Sequence, residues 1–388
     1  MFFNRNEPLL LISPRLELVR LTERFSRFPW GLLVLITTVF TIGMVALYSA
    51  VGGMVNGANF IIQQSIHFTV AVILMVVIAL GESKFYRRHV YFVYAITLIL
   101  LLLVMLSGTV GMGARRWLDL GIVRIQPSEM MKLALIMALS RYFHDQAVTP
   151  GLRLVDLSVP ILLILPALLM IIRQPDLGTA VVVAATGCVV IFVAGITWKV
   201  LLISVTAVLA SMPLVWNWLH GYQRQRILTL FFPEQDPLGT GYHIIQSKIA
   251  VGSGGLTGKG FMAGSQNHLH FLPERHTDFI FSVLAEEWGF VGVLALITVY
   301  GLIIFYGLLI ATMARDRFGM LLASGITSLF AFHVMINIGM VVGLLPVVGI
   351  PLPLVSYGGS SMLTVMVSMG LLAHVSVHSK QHGSYNYN

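Results

Sequence analysis

LPERHTDFIFSVLAEEWGFVGVLALITVYGLIIFYGLLIATM, residues 272–313, decides the fold class. From Phe279 to Met313 only Glu286 and Glu287 carry charge. The run exceeds the roughly 20 apolar residues that an α-helix needs to cross a bilayer. It is long enough to project beyond one. An ionisable side chain at the middle of such a helix costs about 2.5–3.5 kcal/mol on insertion scales, so the two glutamates need a reason. The polar residues before the run, ending at Asp278, read as a loop entering a helix. Asp278, Ser282 and Glu286 follow an i, i+4, i+8 spacing and predict one polar stripe. Asp at a helix entrance is also an ordinary N-cap, and that reading stands beside a chemical one.

Nine more apolar runs flank this one, at 31–51, 60–80, 90–107, 127–143, 157–172, 177–196, 199–219, 320–345 and 352–377. The whole composition agrees. Of 388 residues 57% are hydrophobic and 10% charged, against about 25% charged in a soluble domain. That excludes a water-soluble enzyme and a disordered chain. The expected fold is an all-α integral membrane protein of ten transmembrane helices, one polytopic domain over 1–388. The single Cys188 excludes a disulfide framework and a cysteine-based metal site. Lys and Arg number 24 against 16 Asp and Glu. In a membrane protein that excess reports topology and headgroup contacts, so nucleic acid is not an expected partner.

Placing the N-terminus inside puts 14 Lys and Arg in inner segments, against Arg115, Arg116, Arg124 and Arg173 in short outer loops. Both termini are therefore expected in the cytoplasm, with 1–30 as a cytoplasmic segment. Its stretch 8–28 alternates apolar and basic residues and suits the inner membrane surface. No cleavable signal pattern is expected. Two outer segments break the lipid pattern: 108–126, and the large loop 220–278, whose apolar and Gly-rich stretches predict a cap with short helices.

Charge inside the fourth run forms a second anomaly. Glu129 and Lys132, in QPSEMMK, share a helix face and can pair. A structural ion pair pinning a short helix is one reading. A polar cavity opening outward is the other, and Arg115, Arg116 and Trp117 just upstream favour it. The run GSGGLTGKG at 252–260 fails as a phosphate-binding loop. The pattern needs Gly where Ser253 stands and Ser or Thr where Gly260 stands. Tight turns at the membrane explain its glycines, with Lys259 facing headgroups or an anionic ligand. Gly339 and Gly343 make a GxxxG pair suited to helix packing. SYGGSS at 356–361 opens the tenth run with small residues for close approach. The histidines show no metal-ligand spacing, so no structural metal is expected.

The motifs together resemble the SEDS family (shape, elongation, division and sporulation proteins) over nearly the whole chain. They are GARRWLDLGIVRIQPSEMMK at 113–132, RQPDLGTA at 173–180, YQRQRI at 222–227, DPLGTGYHIIQSKIAVGSGGLTGKG at 236–260, FLPERHTDFIFSVLAEEWG at 271–289 and GLLPVVGIPLPLVSYGGSS at 343–361. Arg275 within LPERHTDF is closer to the elongation branch than to the division branch, which acts at the septum. The resemblance implies a peptidoglycan glycosyltransferase of the bacterial cytoplasmic (inner) membrane. Its substrate is lipid II, a disaccharide-pentapeptide on undecaprenyl pyrophosphate, and its site faces the extracytoplasmic side. Its implied partners are a class B penicillin-binding protein transpeptidase, other proteins of the elongation complex, and membrane lipids.

The family's key aspartate maps onto Asp278, and its Trp, Glu and Lys onto Trp117, Glu129 and Lys132. In that chemistry Asp278 is the candidate base. Lys132, Arg115, Arg116, Arg224, Arg226, Lys259 and Arg275 are candidate cations for the leaving pyrophosphate. Glu129 orients Lys132 or shares the base role, and Glu286 completes the polar stripe. No cofactor is required, and a divalent cation at the pyrophosphate is left open. A lipid II flippase and a scaffold for the transpeptidase are the competing classes. Against transport stand the lack of an internal repeat and the gathering of polar residues toward one face.

Overall fold

A computed structural model describes residues 22–379 apart from 112–113, 120, 122–123, 147–150, 219–220, 236–238 and 266–273. Most of the amphipathic stretch 8–28 lies outside the described residues. Helices form wherever apolar runs were expected: α1 (Trp30–Ala50), α2 (Gly53–Leu80), α3 (Ser83–Ser107), α4 (Pro127–Asp145), α5 (Ser158–Arg173), α6 (Leu177–Val193) and α7 (Trp198–Trp218). The large loop then contributes α8 (Gly221–Phe231) and α9 (Thr240–Ser253), the short helices expected of a cap. The chain closes with α10 (Ile280–Thr312), α11 (Arg317–Val341) and α12 (Gly359–Ser379). Seven helices, α1, α2, α3, α5, α10, α11 and α12, are long and apolar enough to cross a membrane. Of the other three expected spans, α6 and α7 offer only short apolar stretches, and α4 contains Glu129, Lys132, Arg141 and Asp145. The chain is a multi-pass helical membrane protein.

The layers follow from which faces are apolar. Helices α11 and α12 are central: 67% and 78% of their apolar windows are buried in protein, against 17% for α2. α12 packs along α2, and α11 against α4, α6 and α10. Nearly all of α4 is enclosed as well. The outward faces of α1 to α3 carry Val34, Ile62, Ile73, Phe92 and Leu106, all exposed and suited to lipid.

Four expectations change. The all-α reading misses a small sheet in 108–126, ordered β1 (Thr109–Gly111), β2 (Ala114–Asp119), β3 (Arg124–Ile125), both pairs antiparallel. Asp119 closes its second turn by accepting from the Gly121 N–H at 2.9 Å and Arg124 Nε at 3.0 Å. These two bonds also hold the Asp119 pKa below the usual carboxylate range. The tenth helix begins at Gly359 rather than 352, because Pro351, Pro353 and a left-handed Leu354 (φ 66°) keep the preceding segment a loop. Gly339 and Gly343 do not pack a helix pair. Gly343 (φ 74°) lies beyond α11, and the N–H groups of Leu344 and Leu345 return to the Gly339 carbonyl. This is a left-handed helix stop. Finally, α10 is not one long rod. Gly289 (φ 63°, ψ −161°) breaks it near the level of Glu287.

Candidate active site

Asp278 sits in the turn 274–279 that leads into α10. Thr277 and Phe279 both donate their N–H to the Glu274 carbonyl, at 3.1 and 3.3 Å, and the Thr277 hydroxyl donates to Glu274 Oε2 at 2.9 Å. The turn is locked from the other side by the loop between α11 and α12. Ser356 Oγ donates to the Thr277 carbonyl at 2.6 Å while accepting the Leu352 N–H at 2.8 Å. The Tyr357 N–H donates to the His276 carbonyl at 2.9 Å. Asn337 Nδ2 on α11 reaches both the Asp278 carbonyl, at 3.0 Å, and that of Ile350, at 2.7 Å. The backbone around Asp278 is thus held by two side chains, Ser356 and Asn337, and one amide, that of Tyr357, from distant parts of the chain.

The Asp278 carboxylate does not cap the helix. The N-cap of α10 is Phe279, with no side-chain cap bond. Instead the carboxylate faces Gly349 (φ 72°), where a Cβ would lie 3.4 Å from Oδ2. Loss of solvent, and then the Glu274 charge, push the Asp278 pKa up to about 6, against the pull of Arg226 and Arg116. A carboxyl tuned this way titrates near neutrality, as a general base requires. Arg116 on β2 is fixed by donating Nε to the Gln174 carbonyl at 3.3 Å and its guanidinium to the Pro175 carbonyl. Arg115 is exposed on the same strand, and Trp117 is half-buried beside it. Arg226 is half-buried on α8. Arg275 is half-buried too, and burial lowers its pKa.

Below the same loop lies the second cluster. Lys132 Nζ donates to Glu129 Oε1 at 2.7 Å and meets His333 Nε2 at 2.8 Å, so the imidazole accepts. An ammonium has three donors, two of which these partners take, and both partners border a small cavity alongside. Glu129, His333, Leu352 and Ser356 line that cavity. Leu352 and Ser356 also hold the Asp278 turn, so one loop separates the two clusters. His333 and Asn337, one helical turn apart on α11, serve one cluster each.

Three expected binding residues point elsewhere. Arg224 donates to the carbonyls of Trp216 and Asn217, at 2.9 and 2.8 Å, and closes the end of α7. Lys259 Nζ donates to Glu286 Oε1 at 2.7 Å. The polar stripe dissolves: Ser282 Oγ donates to the Phe279 carbonyl at 2.6 Å, and Glu286 lies about 12 Å along the helix from Asp278. Sequence reasoning missed Glu274, His333, Asn337 and Ser356. The i, i+4 pair of His333 and Asn337 within an apolar helix was the available signal. Among the described residues no three His, Cys, Asp or Glu converge to hold a metal ion. Glu274 and Asp278 are the two carboxylates that a cation at this loop would meet.

Fold and site together define a multi-pass membrane protein with a cluster of charged residues at one end of its helix bundle. Comparison with known proteins narrows the class. The FtsW/RodA/SpoVE family model, described as cell cycle protein, matches residues 29–381. The peptidoglycan glycosyltransferase MrdB of Escherichia coli K12 is 48% identical over 309 residues, 79% of this chain and 83% of the relative. The peptidoglycan glycosyltransferase RodA of Treponema pallidum is 31% identical, covering 92% of this chain and 98% of its own. The crystal structure of Thermus thermophilus rod shape determining protein RodA aligns with TM-score 0.69 at 32% identity, over 91% of this chain and 98% of that one. A chain from a structure titled structural coordination of polymerization and crosslinking by a peptidoglycan synthase complex aligns with TM-score 0.79 at 34% identity, over 91% and 99%. The chain belongs to the SEDS family, and it is RodA-like. Its homologues are peptidoglycan glycosyltransferases, and by that homology so is this chain.

Proposed function

We propose that this chain polymerises lipid II into glycan strands for lateral wall elongation, with Asp278 as general base. The acceptor sugar hydroxyl gives its proton to the Asp278 carboxylate as its oxygen attacks the donor's anomeric carbon. The bond from that carbon to the phosphate oxygen breaks, and undecaprenyl pyrophosphate leaves with the electron pair. The anomeric centre inverts in this single displacement. The observation that carries the reading is a half-buried carboxylate, its pKa raised to about 6, at a loop where Arg116 and Arg226 are close enough to act on its charge.

Lys132, with one N–H directed to no partner among the described residues, and Arg115, Arg116, Arg226 and Arg275 compensate the charge that develops on the pyrophosphate. Glu129 and His333 aim Lys132. Trp117 offers an apolar face to a sugar or lipid. The carrier lipid occupies an apolar groove between helices. The site faces the extracytoplasmic side of the bacterial cytoplasmic membrane, with ten crossings and both termini in the cytoplasm. The domain is single, with 220–278 as its outer cap. The Lys and Arg bias toward the end of the bundle opposite Asp278 supports this orientation. Arg275 in LPERHTDF supports the elongation branch over the septal one. A class B penicillin-binding protein crosslinks the strands, in keeping with the peptidoglycan synthase complex that this chain resembles, and the elongation complex is its setting.

Purified lipid II, offered to the protein with its transpeptidase partner, tests the base. Asp278→Asn is expected to leave the lipid unpolymerised while the partner still binds. Full-length glycan from that variant would remove Asp278 from the chemistry. Movement of labelled lipid II across liposomes without polymer would replace the reading with transport.

A further inference from the structure

The Gly-rich run at 252–260 and the glutamates at 286 and 287 take no part in the reaction above, yet they meet. A helix broken at Gly289 strands carbonyls at the end of its first half and N–H groups at the start of its second. Buried in a membrane protein, these groups need partners. The loop after α9 supplies them. The N–H groups of Lys259 and Gly260 donate to the carbonyls of Glu286 and Glu287, both at 3.0 Å. The N–H groups of Phe290 and Val291 donate to the carbonyls of Gly255 and Leu256, at 2.9 and 3.1 Å. Only glycine permits so close an approach: a Cβ on Gly254 or Gly258 would collide with the carbonyl oxygens of Ala285 and Glu287.

Side chains fasten the same junction. Glu286 is 1% exposed, and its Oε1 accepts from Lys259 Nζ at 2.7 Å and from Ser265 Oγ at 3.0 Å. Lys259 Nζ also donates to Ser265 Oγ at 2.9 Å. The Ser49 hydroxyl donates to Glu287 Oε1 and ties the junction to α1. Residues 280–288 are therefore a short rod, fastened at the break and carrying Asp278 just beyond its other end.

We propose that the loop 254–265 is a clamp on a broken helix, and that Glu286 is a positioning residue which, through Lys259 and Ser265, sets how the rod 280–288 presents Asp278. The proposal rests on Asp278 acting as the base. It gives the Lys259–Glu286 pair a mechanical task in place of substrate binding. The rod is short and buried, so a shift at its clamped end moves its catalytic end. Misplacing a reacting group by about 1 Å can cost on the order of 100-fold in rate.

The test uses the full chain with its partner, purified lipid II, and hydrogen exchange read by mass spectrometry. Glu286→Gln and Lys259→Met are each expected to lower kcat about tenfold with KM within about twofold, and the double variant to fall no further than the worse single one. Lys259→Arg restores the rate. Amides of 280–288 exchange faster in Glu286→Gln, while those of α11 do not change. A raised KM in Lys259→Met with normal Glu286→Gln, additive losses, or unchanged exchange in 280–288 would each overturn the clamp. Ser265→Ala, at an exposed site, serves as the weaker variant if Glu286→Gln fails to fold, and its exchange is expected to rise in the same segment. Polymer formed by Asp278→Asn would instead refute the base, and the exchange result would still decide the clamp.

Discussion

Asp278 stands just before the half-helix 280–288, and Glu286 near its other end. The two carboxylates have opposite surroundings. Glu286 accepts from an ammonium and a hydroxyl, and beside it four backbone groups of the helix break are answered by the loop 255–260. Asp278 loses solvent, feels the like charge of Glu274, and has Arg116 and Arg226 as incomplete compensation. A carboxylate held by an ammonium and a hydroxyl keeps a backbone in shape, and one with a like charge beside it and only distant cations retains a use for a proton. A buried charge in a membrane protein is therefore not enough to mark a catalytic group. The third carboxylate, Glu129, lies between these extremes, paired with Lys132 yet bordering a cavity.

The widest separation between the two ends is expected in rate. Asp278→Asn should lower lipid II polymerisation by about 10²–10⁴-fold, the usual contribution of a general base, well beyond the loss from Glu286→Gln. A smaller gap would collapse the contrast. The ion pairs should separate next, in stability. The Lys132 side chain is 2% exposed and that of Lys259 30%. Lys132→Met strands Glu129 and should cost about 3–5 kcal/mol, much of it recovered by adding Glu129→Gln. Lys259→Met also strands a carboxylate, but the lysine site is partly open to solvent and Ser265 still donates to Glu286, so it should cost less, about 1–3 kcal/mol. Denaturation in detergent reads both. Gly289→Ala forces a side chain into a backbone region kept for glycine and should destabilise by about 1–3 kcal/mol, seen as a lower melting temperature.

The smallest expected effect is a shift in pH. A base works only when ionised, so polymerisation should fall as pH drops through about 6. Glu274→Gln removes a like charge, lowers the Asp278 pKa and moves that limb to lower pH. Arg226→Gln moves it higher. Stability runs the other way. A carboxyl whose pKa is raised on folding favours the folded state most when protonated, below its unfolded value near 4, and loses that advantage as pH rises through about 6. Asp278→Asn should therefore melt higher than the parent at pH 7.5 while being inactive.

Much of this was legible in the sequence because lipid makes charge conspicuous. Ten apolar runs located ten helices, and Asp278, Glu129 and Lys132 stood out against them. The break at Gly289 was hidden, since a glycine inside an apolar run reads as ordinary helix packing and its complement lies some thirty residues upstream. The sheet at 108–126 was hidden because its strands are short and close on side-chain turn chemistry. His333, Asn337 and Ser356 act across a loop that joins elements distant in sequence, and spacing alone does not reveal such contacts. The same limit left Arg116 and Arg226, which act on Asp278, indistinguishable from Arg224 and Lys259, which are committed to neighbours.

The enclosure of α11 and α12 has a consequence for how the molecule is made. These two carry His333, Asn337, Ser368 and His374 in buried positions, and they leave the ribosome well after α1 to α3. By then the greasier α1 to α3 are already available to receive them. α4 is the early exception, and it travels with its own counter-charge three residues away. Chain order here doubles as an assembly order: the walls are raised first, and the polar pillars enter a space where lipid no longer has to tolerate them.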